Sequence, residues 1–142
     1  MIPWDKLHGA MTHFPIALLS FSTACDFVSV TLNKLSIARD LRIVSFYGLT
    51  FAALASLGAV ISGIALTKGD LWGRGNFAWH HRFVWPAFAL LVALAVWRLV
   101  AREAMSRTGL WVYLILMLLA SGLVAAAGYF GGELLLSGGG VP

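Results

Sequence analysis

The sequence has little charge. Only 11% of its 142 residues are Asp, Glu, Lys or Arg, whereas 60% are hydrophobic. Soluble domains carry about 25% charged residues, so this composition excludes a soluble globular domain and indicates an integral membrane protein. The sequence pI near 9.7 arises from Lys and Arg in the predicted loops, and no nucleic-acid partner is expected from it.

Cysteine and the common catalytic motifs are scarce as well. The single cysteine, Cys25, lies inside an apolar run, which excludes an internal disulfide and a cysteine-ligated metal site. The sequence has no nucleophile–base pair, no carboxylate pair and no glycine-rich phosphate loop. It therefore favours an electron-transfer or accessory subunit over a stand-alone enzyme.

The sequence does contain four long apolar runs. Because a membrane-spanning helix needs about 20 such residues, we predict transmembrane helices over 12–33, 43–67, 78–101 and 109–136. They form one all-α domain, 1–142, an integral membrane four-helix bundle with up-down-up-down topology. The first run is not expected to be a cleaved signal peptide, because it lacks a basic leader and Asp26 interrupts it.

The basic residues predict the orientation of this bundle. Six lie on the side of the two short loops: Lys34, Arg39, Arg42, Arg98, Arg102 and Arg107. Four lie on the side of both termini: Lys6, Lys68, Arg74 and Arg82. Since cytoplasmic loops are enriched in Lys and Arg, we expect a multi-pass protein of the bacterial inner membrane, with both termini outside.

All four histidines stand at the start of an apolar run, within "LHGAMTHFPIALL" and "WHHR". Helices 1 and 3 enter the membrane from the same side, so His8, His13, His80 and His81 should gather at one end of the bundle. Imidazoles from two facing helices are the usual axial ligands of haem b. Another metal, or interfacial histidines without any ligand, are the alternatives. The candidate partners of haem propionates are Arg82, Lys6 and Arg74.

One ionisable residue, Asp26, lies inside a predicted span, where charged groups usually have a partner or a function. It is expected to pair with Arg42 or Arg98, or to serve a proton or quinone site. Glu133, near the end of helix 4, is expected either to bond a histidine nitrogen or to meet water.

Three motifs resemble the DUF2231 family of small four-helix bacterial membrane proteins: "LHGAMTHFPIALLSFSTACDF", "HHR" and "GYFGGELLLSGGGV". The resemblance runs from about Leu7 to Val141, and its first and last motifs are fairly specific. The matching motif positions here are His8, His13, Asp26, His81 and Gly131-Gly132-Glu133. Gly138 stands where the family tends to have a histidine, so a second haem that used that histidine would be lacking.

The family resembles haem-bearing or redox-associated membrane modules. The resemblance therefore implies electron transfer. Together with the histidines, it favours a b-type cytochrome that passes electrons between quinol or a membrane partner and an outer electron carrier. His13 and His81 are the preferred axial ligands, with His8 and His80 in reserve or as a second pair. His81 is preferred over His80 because it matches the family better and lies one residue deeper. The alternative is a cofactor-free accessory subunit of a larger respiratory or photosynthetic membrane complex.

Overall fold

The fold consists of four long helices. A computed structural model describes residues 3–102 and 104–136, which form α1 (Trp4–Thr31), α2 (Ile37–Leu66), α3 (Asn76–Ala101) and α4 (Arg107–Leu136). All four are long and apolar enough to cross a membrane. The predicted all-α class is confirmed, and the chain is a multi-pass membrane protein.

The helices are longer than the apolar runs that predicted them. α1 begins at Trp4 rather than near residue 12, and α2 begins at Ile37 rather than near residue 43. Charged residues such as Asp5 and Arg39 end an apolar run without ending a helix, because Arg is a good helix former and an acidic side chain such as Asp5 is favourable in the first turn. Pro15 consequently lies inside α1 and removes the hydrogen bond that the Met11 carbonyl would otherwise accept.

The helices form a square in which neighbours along the chain are antiparallel. α1 packs along α2 and α3 packs along α4, and contacts of α1 with α4 and of α2 with α3 close the bundle. Among the described residues α1 and α3 make no close backbone contact, so they are diagonal. We call the end with Trp4 and the loop 67–75 the histidine end. The opposite end, with the loops 32–36 and 102–106, is the ion-pair end.

The two hairpins of the square repeat each other. Buried α1 positions recur 72 residues later in α3, as with Leu19 and Leu91 or Asp26 and Arg98. Buried α2 positions recur 68 residues later in α4, in the pairs Ser45 and Tyr113, Leu49 and Met117, Ala52 and Ala120, and Ala59 and Ala127. Repeats of the same orientation are related by an axis along the membrane normal, so equivalent residues face each other across the bundle centre.

An apolar layer separates the two ends of the bundle. Its members are fully buried and come from all four helices: Leu19, Leu49, Leu91, Leu94, Leu114 and Met117. Asp26 lies beyond this layer at the ion-pair end, where the Arg98 Nη2 atom is 3.6 Å from its Oδ1 atom. Arg98 is therefore a partner of Asp26, as one of the predicted pairings required.

Candidate functional site: the histidine cavity

A cavity of about 270 Å³ opens at the histidine end. All four histidines contribute to its lining, which confirms that the alternating helices bring them together. Most of the remaining wall is apolar and includes Ile16, Val84, Phe88, Leu91 and Val124. Cavities of this kind, apolar with a few converging polar groups, are typical of cofactor and small-molecule sites.

His8 is fixed by hydrogen bonds to α2. Its Nδ1 atom is 3.0 Å from the Ala59 carbonyl oxygen and 3.1 Å from the Ser62 hydroxyl. A carbonyl oxygen can only accept, so Nδ1 carries the proton and donates it to Ala59. In the neutral ring Nε2 therefore keeps its lone pair.

His80 has the same arrangement on the other hairpin. Its Nδ1 atom is 2.8 Å from the carbonyl oxygen of Ala127, the residue of α4 that corresponds to Ala59. Gly63 and Gly131 are equivalent in the same way. A Cβ atom added at Gly63 would lie 3.0 Å from His8 Cε1, and one added at Gly131 would lie 3.1 Å from His80 Cε1. The two glycines provide the space in which the rings lie against α2 and α4.

The two fixed rings meet across the diagonal of the square. Their centroids are 6.5 Å apart and their planes are nearly perpendicular, at 86°. Neither Nε2 atom has a hydrogen-bond partner among the described residues, and neither is a fully buried orphan. Both lone pairs are thus accessible from the cavity. A ring nitrogen that donates to a backbone carbonyl while its partner nitrogen stays free is the usual state of a metal-ligating histidine.

The other two histidines are held differently. His13 is exposed at the cavity wall and makes no hydrogen bond within the described part of the chain. His81 is only 8% exposed, and its Nδ1 atom is buried without a partner among those residues. It packs against Phe77, with ring centroids 5.6 Å apart, and against the loop at Gly73. Neither ring has the carbonyl contact that fixes His8 and His80.

The predicted propionate partners lie away from the cavity wall. Arg82 stacks on the Trp79 ring, with its guanidinium carbon 4.7 Å from the centroid. Neither it nor Lys6 nor Arg74 lines the cavity. The charged side chains that do line it are Asp5 and Asp70.

The loop 67–75 forms part of the cavity rim and is ordered by its own hydrogen bonds. The Asp70 carboxylate accepts the backbone N–H groups of Gly73 and Trp72, at 2.9 and 3.1 Å. These hydrogen bonds hold the pKa of Asp70 below its usual range, the Gly73 bond more strongly. The Trp85 indole N–H donates to the Leu71 carbonyl at 2.8 Å, which joins the loop to α3.

Two predicted features contribute little to this site. Glu133 is exposed and makes no hydrogen bond to any of the four histidines within the described residues. Gly138 lies outside the described residues. Among the described residues no group of three or more His, Cys, Asp and Glu side chains is arranged to hold a metal ion.

Ala59 and Ala127, whose carbonyls fix the two rings, and Gly63, one helical turn after Ala59, were not among the site residues predicted from the sequence. The carbonyls have no sequence signal of their own. The equal separation of His8 from His80 and of Asp26 from Arg98 indicates only that the two histidines are equivalent.

Comparison with known proteins agrees with this architecture. No curated protein and no solved structure gives a significant match. Residues 5–140 match a family described as predicted membrane protein. That match spans nearly the whole chain, its four helices and the histidine cavity included. The chain belongs to the DUF2231 family.

Proposed function

We propose that the protein is a b-type cytochrome-like electron-transfer module whose haem is held by His8 and His80. One observation carries the proposal: two equivalent imidazoles from diagonal helices lie 6.5 Å apart at the cavity, each with Nδ1 bonded to a carbonyl and Nε2 without a partner among the described residues. This choice differs from the pair that the sequence favoured, His13 and His81, because those rings lack such a bond.

The donor set fits haem. His8 and His80 lie close together, with ring centroids 6.5 Å apart, and would hold the iron through their Nε2 nitrogens. Two neutral imidazoles are sufficient for haem, while most other metal sites need three or four protein ligands.

The fit is poorer at the propionates. The rim carries Asp5 and Asp70 rather than basic side chains, so propionates would have to reach water or the neighbouring Arg82 and Lys6. Haem b supplies a one-electron couple at its iron when it is bound. The protein's own part is to orient the two Nε2 lone pairs, to fix the tautomers through Ala59 and Ala127, and to exclude water with the apolar wall.

The location suggests the redox partners. The excess of Lys and Arg at the ion-pair end supports a cytoplasmic position for that end, with the histidine end and both termini outside. A haem there would exchange electrons with quinol in the membrane and with a carrier at the outer surface. The lipid-facing sides of the helices also leave room for other membrane subunits.

Absorption spectra of the purified protein, oxidised and then reduced, test the proposal. Protein made with ample haem should give the spectrum of a six-coordinate low-spin haem b. His8→Ala and His80→Ala should each lose the haem or convert it to a high-spin form, because one axial nitrogen is removed.

His13→Ala and His81→Ala are the matched controls and should retain most of the low-spin haem. If those two variants lose haem while His8→Ala and His80→Ala keep it, the ligand role returns to the pair that the sequence favoured. A colourless wild-type protein would contradict the cytochrome proposal and support the cofactor-free accessory subunit.

A further inference from the structure

The second polar site of the bundle lies far from the histidines. Asp26 and Arg98 each follow the equivalent histidine by 18 residues in an α-helix, which corresponds to about 27 Å at 1.5 Å per residue. The hydrocarbon core of a bilayer is about 30 Å thick. The histidine cavity and the ion pair therefore lie near opposite membrane surfaces.

The ion pair has incomplete hydrogen bonding. Asp26 Oδ2 accepts the Tyr113 hydroxyl at 3.0 Å. Asp26 Oδ1 and Arg98 Nη2 are 3.6 Å apart, which is too far for a direct hydrogen bond. Asp26 and Arg98 are only 2% and 4% exposed, so bulk water does not supply the missing hydrogen bonds of the two side chains.

Three buried polar atoms in this region lack partners. Arg98 Nη2, Ser45 Oγ and Ser22 Oγ make no hydrogen bond within the part of the chain that the structure describes. Ser45 lies within interaction range of the Asp26 carboxylate, as does Arg42. Ser22 is one helical turn from Asp26 on the same face of α1. Leaving a buried polar group without a hydrogen bond is unfavourable, so several such groups together at one site indicate an additional ligand.

The internal repeat explains why Asp26 has a direct hydrogen-bond partner whereas Arg98 Nη2 has none among the described residues. Tyr113 of α4 and Ser45 of α2 are equivalent positions, both fully buried. Tyr113 fills its side with a phenol ring and bonds Asp26 directly. Ser45 is much smaller, so the position equivalent to the Tyr113 phenol carries only a short hydroxyl side chain.

We propose that this region is a hydrated site, in which an ordered water molecule bridges Asp26 Oδ1, Arg98 Nη2 and Ser45 Oγ. Buried waters typically make about three hydrogen bonds to groups that are otherwise unsatisfied, and a polar pair separated by more than 3.5 Å is where a bridging water is expected. The water reaches the site from the nearby membrane surface at the ion-pair end. The proposal does not depend on haem binding.

Thiol labelling tests the hydration directly. In a Cys25→Ser background, Ser45→Cys and Ala52→Cys each place one thiol on the same face of α2. Ser45 and Ala52 are both 0% exposed, but Ala52 belongs to the apolar core. A small water-soluble thiosulfonate reagent should modify Ser45→Cys at least tenfold faster, because only a hydrated thiol ionises and meets the reagent.

Equal labelling rates for the two variants, in protein whose circular dichroism matches the wild type, would overturn the proposal. An experimental structure that resolves ordered water gives a second measurement without any variant. It should contain a water within hydrogen-bond distance of Arg98 Nη2 and Ser45 Oγ, and a dry, direct Arg98–Asp26 contact there would equally overturn the proposal.

Discussion

The Asp26–Arg98 pair allows a quantitative prediction. At a separation of 3.6 Å and an effective dielectric constant near 20, two unit charges attract by about 4–5 kcal/mol. Removing one partner of a buried pair leaves the other charge uncompensated and costs about 3–5 kcal/mol. Asp26→Asn and Arg98→Gln should therefore each destabilise the protein by that amount.

The double variant should be much less affected. Asn and Gln are neutral and of similar size to the original side chains, so neither leaves a buried charge. We expect the double variant to lie within about 2 kcal/mol of the wild type, because the net contribution of a buried pair over a neutral pair is small. The coupling energy of the cycle, which is the double-variant loss minus the sum of the two single losses, should thus exceed about 4 kcal/mol in magnitude.

Thermal unfolding in detergent, followed by circular dichroism, measures these differences. With about 3 °C per kcal/mol for a chain of this size, each single variant should lower the apparent Tm by about 9–15 °C, and the double variant by less than about 6 °C. Asp40→Asn, at an exposed position of α2, is the control and should change little. Losses that simply add in the double variant would refute the reasoning.

Two further predictions concern the histidine end. Gly63→Ala or Gly131→Ala should displace the adjacent imidazole and break its hydrogen bond to the carbonyl, which destabilises the protein by about 0.5–1.5 kcal/mol. Titration of each variant with haem should show weaker binding than the wild type. Gly132→Ala, where an added Cβ meets nothing within 4 Å, should not. The pKa of Asp70 is depressed in the folded loop. The hydrogen bonds that its carboxylate accepts therefore stabilise the loop fully above the usual Asp pKa of about 3.9. This stabilisation is lost as the pH falls through the lower pKa of the folded loop. The Gly73 amide should therefore lose its protection from hydrogen exchange only below about pH 4. A protection factor that does not change with pH would contradict the role given to the Asp70 carboxylate.

The fold was predictable because the bilayer restricts the choices. Backbone groups in hydrocarbon must bond within their own segment, so four apolar runs without charge clusters can only be four helices. The helix ends were not predictable from hydropathy alone. Residues 4–11 of α1 and 37–42 of α2 are polar enough to end an apolar run, yet they extend the helices by about two turns each.

The location of the site was predictable, whereas the role of each histidine was not. Alternation of the helices brings His13 and His80 to the same end whatever their side chains contact. Which ring is fixed depends on the carbonyls of α2 and α4, which have no sequence signal of their own. Five residues separate His8 from His13, a rotation of about 140° around the helix, so only His8 faces Ala59.

Equivalent positions of the two hairpins carry the same residue at the histidine end and oppositely charged residues at the ion-pair end, and each arrangement has a physical reason. The proposed haem would lie between the two hairpins and would be held evenly by equal donors, as His8 and His80 are. At the other end, equal residues would be two carboxylates or two guanidinium groups, which at 3.6 Å would repel by about 4–5 kcal/mol instead of attracting. Asp26 on one hairpin and Arg98 on the other avoid this. They also disfavour pairing of either hairpin with a second copy of itself, so the ion pair selects the arrangement that brings the two histidines together.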